Sequence, residues 1–149
     1  MLGATLAGIA FSNASVALVH GMSRPLGAHF HVPHGMSNAM LMPSVTAFSI
    51  SAATERYAQC GVALGVANLG DSVEKACEKL VEFLMDLNRE LDVPSLADFG
   101  IEREHYLSVI ELMAEQALSS GSPLVNPRVP SKEEIMSLYH DLQAQCWGL

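Results

Sequence analysis

Residues 8–43 read GIAFSNASVALVHGMSRPLGAHFHVPHGMSNAMLMP. This stretch holds four of the chain's six histidines, His20, His29, His31 and His34, and no Asp, Glu or Lys. Its apolar residues do not alternate with polar ones, so strand describes it poorly. Small and apolar residues on every face describe helices buried on all sides. The pattern predicts buried helices over 2–12 and 14–30, the second opened by Asn13 or Ser15 as a cap. Pro25 predicts a kink or a break within the second. Pro33 stops whatever remains, because the residue before a proline avoids the α region.

Outward from this stretch, charge is unevenly spread. From Met1 to Thr54 the sole formally charged residue is Arg24, and the first acid is Glu55. Residues 1–23 resemble a signal or a membrane span in apolarity alone. No Lys or Arg precedes the apolar run, and Thr5, Ser12, Asn13 and Ser15 interrupt it, so no membrane association is expected. A chain seldom begins with its most buried element. Met1 therefore reads as an internal methionine, and the 149 residues as a truncated domain of something longer. The net charge is −8 with the eight Lys and Arg scattered, which offers no basic patch and excludes a nucleic-acid partner. An apolar share of 50% against 16% charged suits one compact domain. Cys60, Cys77 and Cys146 lie far apart without a CxxC pair, and are expected to be reduced, buried thiols of a cytoplasmic protein.

The remainder is helical as well. A third helix is predicted from about Gly35 to Phe48 and a fourth from about Ser51 to Leu64, ended by Gly65. The clearest covers 72–92, where Asp71 and Glu74 resemble a capping box and apolar residues recur from Val73 to Leu91 at helical spacing. Another covers 102–119 with Tyr106, Ile110, Met113 and Ala117 on one face. Residues 121–130, with three prolines, form a loop. Ser131 and Glu134 then open a final helix carrying Ile135, Leu138, Tyr139 and Leu142. Seven helices with short links make an all-α array.

Neutral imidazole is the commonest protein ligand for divalent transition metals. It is equally at home as a hydrogen-bonded core residue, and both readings stand for the cluster. His20 and His34 are each followed by glycine, which lets a backbone or a ligand approach. His20 sits in the uncharged helix and His34 starts the next, so two helices meeting end to side can bring them to one ion. His29 and His31 flank Phe30 and are not spaced to share a helical face. Two ligands do not hold a metal, and residues 1–54 contain no carboxylate to complete a shell. The missing ligands are expected from residues outside this chain.

The run from Gly8 to Pro43 resembles the signature region of the iron-containing (group III) alcohol dehydrogenases. The likeness lies in HG followed by PLG, then PHG fourteen residues after the first histidine, then NA and a closing proline. GSPLVNPRVPSKEEIMSLY, residues 121–139, resembles their C-terminal end, so the likeness covers essentially the whole chain. It implies the metal-holding helical domain of a dehydroquinate synthase-like fold, without its N-terminal nucleotide-binding domain. It implies metal ligation by His20 and His34, with an Asp and a His from an upstream helix that this chain lacks. The implied cofactors are Fe2+, with Zn2+ as the alternative, and NAD or NADP bound mainly by the missing domain. The implied partner is a small alcohol or aldehyde.

One position departs from the pattern. Many relatives carry a second histidine four residues after the first, and here Arg24 stands in its place. A guanidinium cannot relay protons near neutrality. It pairs with a carboxylate or phosphate on substrate or cofactor, or it caps carbonyls near Pro25. His29 and His31 are expected to be bystanders at the mouth of the cleft. Asn13 and Asn38 are candidates for touching substrate or for satisfying backbone groups, and His105 and His140 are expected at the surface. The competing expectation is a non-catalytic helical module, whose exposed apolar cleft would drive homo-oligomerisation. A glycerol dehydrogenase or dehydroquinate synthase relative is a third, disfavoured by the wording HGMSRPLG.

Overall fold

The computed structural model describes residues 1–147, the side chains of 145–147 excepted. The chain forms α1 (Leu2–Ala14), α2 (Leu18–Phe30), α3 (His34–Ile50), α4 (Thr54–Ala63), α5 (Val73–Glu90), α6 (Arg103–Ser119) and α7 (Lys132–Trp147), with a 3-10 turn at Ser122–Val125. There is no strand among the described residues.

The main core forms where α2, α3, α6 and α7 meet. Leu18, Met22 and Leu26 of α2 and Met40, Leu41 and Val45 of α3 pack with Tyr106, Ile110 and Met113 of α6 and Ile135, Leu138, Tyr139 and Leu142 of α7. The apolar faces predicted for α6 and α7 are thus the faces buried. Two tyrosines tie the core together. Tyr139 donates its hydroxyl to the Met22 carbonyl at 2.7 Å, and Tyr106 donates to the Tyr139 carbonyl at 2.9 Å. A smaller core of Ala58, Ala67, Ala76 and Cys77 joins α4 to α5. There Gly61 lies so close that an added Cβ would stand 2.9 Å from the Ala76 carbonyl oxygen.

The N-terminal region departs from expectation. α1 contains no buried residue; Leu2, Leu6, Ile9 and Phe11 are exposed, and the helix bends 98° away from α2. No single helix among the described residues is long and apolar enough to cross a membrane. The break falls at 15–17, where Ser15 adopts φ 68, so α2 starts later than predicted. Neither proposed cap serves α2, since Ala17 is its N-cap and Asn13 bonds back to the Ile9 carbonyl inside α1. α2 continues through Pro25, so of the two alternatives predicted there the break does not occur. The buried ring packs against the core, which offsets the one hydrogen bond it cannot donate. α2 ends instead at His31, whose left-handed φ of 57 closes the helix before Pro33 caps α3.

Elsewhere the corrections are smaller. Ser72, not Asp71, caps α5 by accepting from the Lys75 backbone N–H at 3.2 Å. Asp71 accepts from the Asn68 N–H and from Lys79 Nζ instead, and both hold its carboxyl below the usual range. Ser131 and Glu134 form the predicted reciprocal box at the start of α7. Cys77 is buried as expected, Cys60 is exposed because α4 buries only its Ala58 and Gly61 face, and Cys146 lies outside the described side chains.

Candidate metal centre

The site sits where α2 passes the start of α3. α2 buries Leu18, Gly21, Met22, Ser23, Pro25 and Leu26, and leaves a stripe of His20, Arg24 and Ala28 facing outward at helical spacing. His20 is half-buried, while Arg24 and Ala28 are exposed. Pro33 fixes the entry into α3 and sets His34 at its first position. The His20 and His34 ring centroids then lie 5.0 Å apart, tilted by 54°. The other histidines go elsewhere. His29 Nε2 meets Gln116 Oε1 of α6 at 3.0 Å, His31 closes α2, and His105 and His140 are exposed.

Hydrogen bonds assign the nitrogens of His34. Ser23 donates its hydroxyl to the His20 carbonyl at 3.3 Å, which leaves its oxygen to accept from His34 Nδ1–H at 3.4 Å. The lone pair of His34 is then on Nε2, where the Asn38 amide donates at 3.1 Å. Asn38 Oδ1 is buried without a hydrogen-bond partner. Burial pushes the His20 imidazole below its ordinary pKa, helped by the neighbouring His34 and by the Arg24 guanidinium. At neutral pH His20 therefore keeps a free lone pair.

These donors suit a divalent transition metal. Two imidazoles with ring centroids 5.0 Å apart can each reach one ion at roughly 2.0–2.1 Å from nitrogen. The buried Asn38 Oδ1 beside them lacks a donor, as an acceptor would at a site whose bound ligand supplies one. Among the described residues no group of three or more His, Cys, Asp or Glu gathers to hold a metal, and two histidines would supply only part of a coordination shell.

Arg24 does not cap carbonyls near Pro25. Its Nη1 donates to the Ser122 hydroxyl at 3.3 Å, across 98 positions of sequence. The 3-10 turn carrying Ser122 reaches α2 because position 21 is glycine; an added Cβ would stand 3.1 Å from two ring carbons of Pro123. Sequence reasoning missed Ser23, Ser122 and Gln116. Ser23, three residues after His20, carried a local signal as a serine able to bond its own helix, whereas Ser122 and Gln116 carried none.

Comparison with known proteins gives a consistent picture. The family model described as "Fe-containing alcohol dehydrogenase family, C-terminal" matches residues 1–143. The lactaldehyde reductase of Escherichia coli (strain K12) is 39% identical over 140 residues, covering 93% of this chain and 36% of that protein. The NADPH-dependent butanol dehydrogenase of Clostridium saccharobutylicum is 33% identical over 135 residues, covering 90% of this chain and 34% of that one. Among solved structures, a 1,3-propanediol oxidoreductase superposes with a TM-score of 0.84 at 33% identity, covering 92% of this chain and 35% of that one. An iron-containing alcohol dehydrogenase from Thermococcus thioreducens gives 0.80 at 36% identity, covering 93% and 35%. The chain thus spans about a third of the length of these relatives.

Proposed function

The chain belongs to the Fe-containing alcohol dehydrogenase family, in its C-terminal part, and from that premise we propose that it is the metal-binding helical part of a cytoplasmic NAD(P)-dependent alcohol dehydrogenase. The observation that carries this reading is the pairing of His20 with His34, 5.0 Å apart between ring centroids. His20 and His34 are two ligands of a divalent ion, Fe2+ or alternatively Zn2+. The remaining ligands and the nucleotide-binding domain lie outside these 149 residues, a division supported by the share of each relative that the chain spans. When bound, the ion supplies Lewis acidity toward the substrate oxygen and the nicotinamide supplies the hydride chemistry that interconverts alcohol and carbonyl.

The residues of this chain hold and orient. Ser23 fixes the His34 ring through Nδ1 and so presents Nε2 outward. The depressed basicity of His20 keeps its lone pair available. Asn38 gives up its bond to Nε2 when that atom becomes a ligand. Arg24 extends the site by one helical turn along the open stripe of α2.

The test is metal content and metal-dependent oxidation of a small alcohol by the protein with its full chain. His20→Ala or His34→Ala is expected to lower bound metal and abolish activity. Tight stoichiometric metal binding that survives loss of both histidines would end the assignment. A second reading, an assembly module, is favoured by the exposed Leu2, Leu6, Ile9 and Phe11 of α1. It predicts a mass that rises with concentration and falls back on Ile9→Ser with Phe11→Ser; a monomer at every concentration would eliminate it.

A further inference from the structure

We infer that Arg24 is the recognition site for a carboxylate on the substrate, so that this enzyme acts on aldehydes and alcohols that carry an acid group; the inference rests on the dehydrogenase reading above. Arg24 is the sole formally charged residue between Met1 and Thr54. Two other arginines of the chain are engaged by acids, Arg89 by Asp86 and Arg128 by Glu134. Arg24 instead donates to a neutral partner, the Ser122 hydroxyl, at 3.3 Å. A guanidinium has five N–H donors in a fork that matches a carboxylate. One bond to Ser122 leaves that fork available.

Position and support make this a built arrangement. Arg24 and His20 stand four residues apart on the open stripe of α2, so the two side chains share one face of the helix. Ser122 is itself buried, with its backbone N–H bonded to Ser120 Oγ at 3.2 Å, and Pro123 beside it seats the turn on Gly21. One nitrogen of the guanidinium, Nη1, is thereby held on a seated turn, while Nη2 and Nε remain for a ligand. One helical turn is about 5.4 Å, so a short substrate that meets His20 and His34 at one end can present an acid group to Arg24 at the other. The reaction keeps its ordinary balance: aldehyde, NAD(P)H and a proton give alcohol and NAD(P)+.

The test uses the metal-loaded protein with its full chain. kcat/KM is measured for succinic semialdehyde and for butanal, which differ in the terminal carboxylate. The wild type is expected to prefer the acid. Arg24→Gln is expected to lower the acid-to-neutral ratio roughly ten- to hundred-fold, and Arg24→Lys by less, because the charge remains without the fork. Calorimetry supplies a readout independent of turnover: succinate should bind saturably to the wild type, succinamide should not, and Arg24→Gln should lose the succinate signal. A ratio unmoved by Arg24→Gln overturns the inference, as does wild type that fails to bind succinate. A rise in KM for NADPH with the ratio unmoved assigns the guanidinium to a cofactor phosphate and likewise overturns it. Absence of turnover on both aldehydes defeats the dehydrogenase reading, and the calorimetry then decides alone whether Arg24 holds a carboxylate.

Discussion

Replacing Gly21 with alanine puts a methyl group where the 3-10 turn now rests on α2. The new Cβ would lie 3.1 Å from both Cδ and Cγ of Pro123 and 3.5 Å from the Ala117 carbonyl oxygen. Carbon atoms prefer about 3.5–4.0 Å, so the turn must yield by roughly half an ångström. Pro123 cannot rotate away, because its side chain is a closed ring and fully buried. Overpacking of this kind costs about 1–3 kcal/mol, and alanine returns about 0.8–1.0 kcal/mol of helix propensity. The net loss is about 1 kcal/mol, a shift of about 2–4 °C in Tm for a protein of this size. Gly35→Ala in α3 is the control, since nothing lies within 4 Å of its added Cβ. Urea unfolding of the two variants separates sterics from propensity, with Gly21→Ala expected about 1–3 kcal/mol below Gly35→Ala. Pro123→Ala should recover part of the difference in a double-mutant cycle. Equal midpoints for the two glycine variants would refute the claim that the turn is lodged on α2, and with it the bracing of Arg24.

Ser23→Ala is expected to weaken metal uptake by roughly ten-fold, because the His34 ring loses the bond that orients it; equal uptake in a competition titration would contradict this. Tyr139→Phe removes the donor to the Met22 carbonyl from the core and should cost about 1 kcal/mol by urea unfolding, whereas an unchanged midpoint would show that the link between α7 and α2 is dispensable. The Glu134 carboxyl is held below the usual range, first by the Ser131 N–H and then by Arg128. A carboxyl with a depressed folded pKa contributes stability above its unfolded pKa and loses it as the pH falls through the folded one. Glu134→Gln should therefore destabilise at pH 7 and converge on the wild type under acid titration, and a pH-independent gap would point to packing instead.

The helices were legible where one face is apolar and the other is wet. α6 and α7 bury the residues that their spacing marks, since packing and periodicity agree there. α1 was misread for a physical reason. Its lack of charge is a statement about what it avoids, and burial inside these 149 residues is only one way to avoid water. Among the described residues nothing covers it. At Pro25 the helix is not broken, because the loss of one N–H donor competes with the burial of a whole ring, and burial keeps the helix continuous. The cap of α5 moved by one residue because Asp71 is drawn to Asn68 and Lys79, leaving Ser72 for the helix end.

At the site, the sequence separated His20 and His34 from their neighbours by position in the helices, and the structure brings that pair of rings together. His29, set aside by its spacing, meets Gln116 Oε1 through its Nε2, a partner 87 positions away that no local pattern announces. The same limit hid the partner of Arg24. A guanidinium one turn beyond a histidine can be read from the sequence, but whether an acid already holds it cannot, because 16 acids are scattered through the later part of the chain and any could fold back. A neutral serine reached it instead. A neutral partner leaves open the fork needed by the substrate carboxylate we propose, since a salt bridge to an acid of the chain would have occupied it.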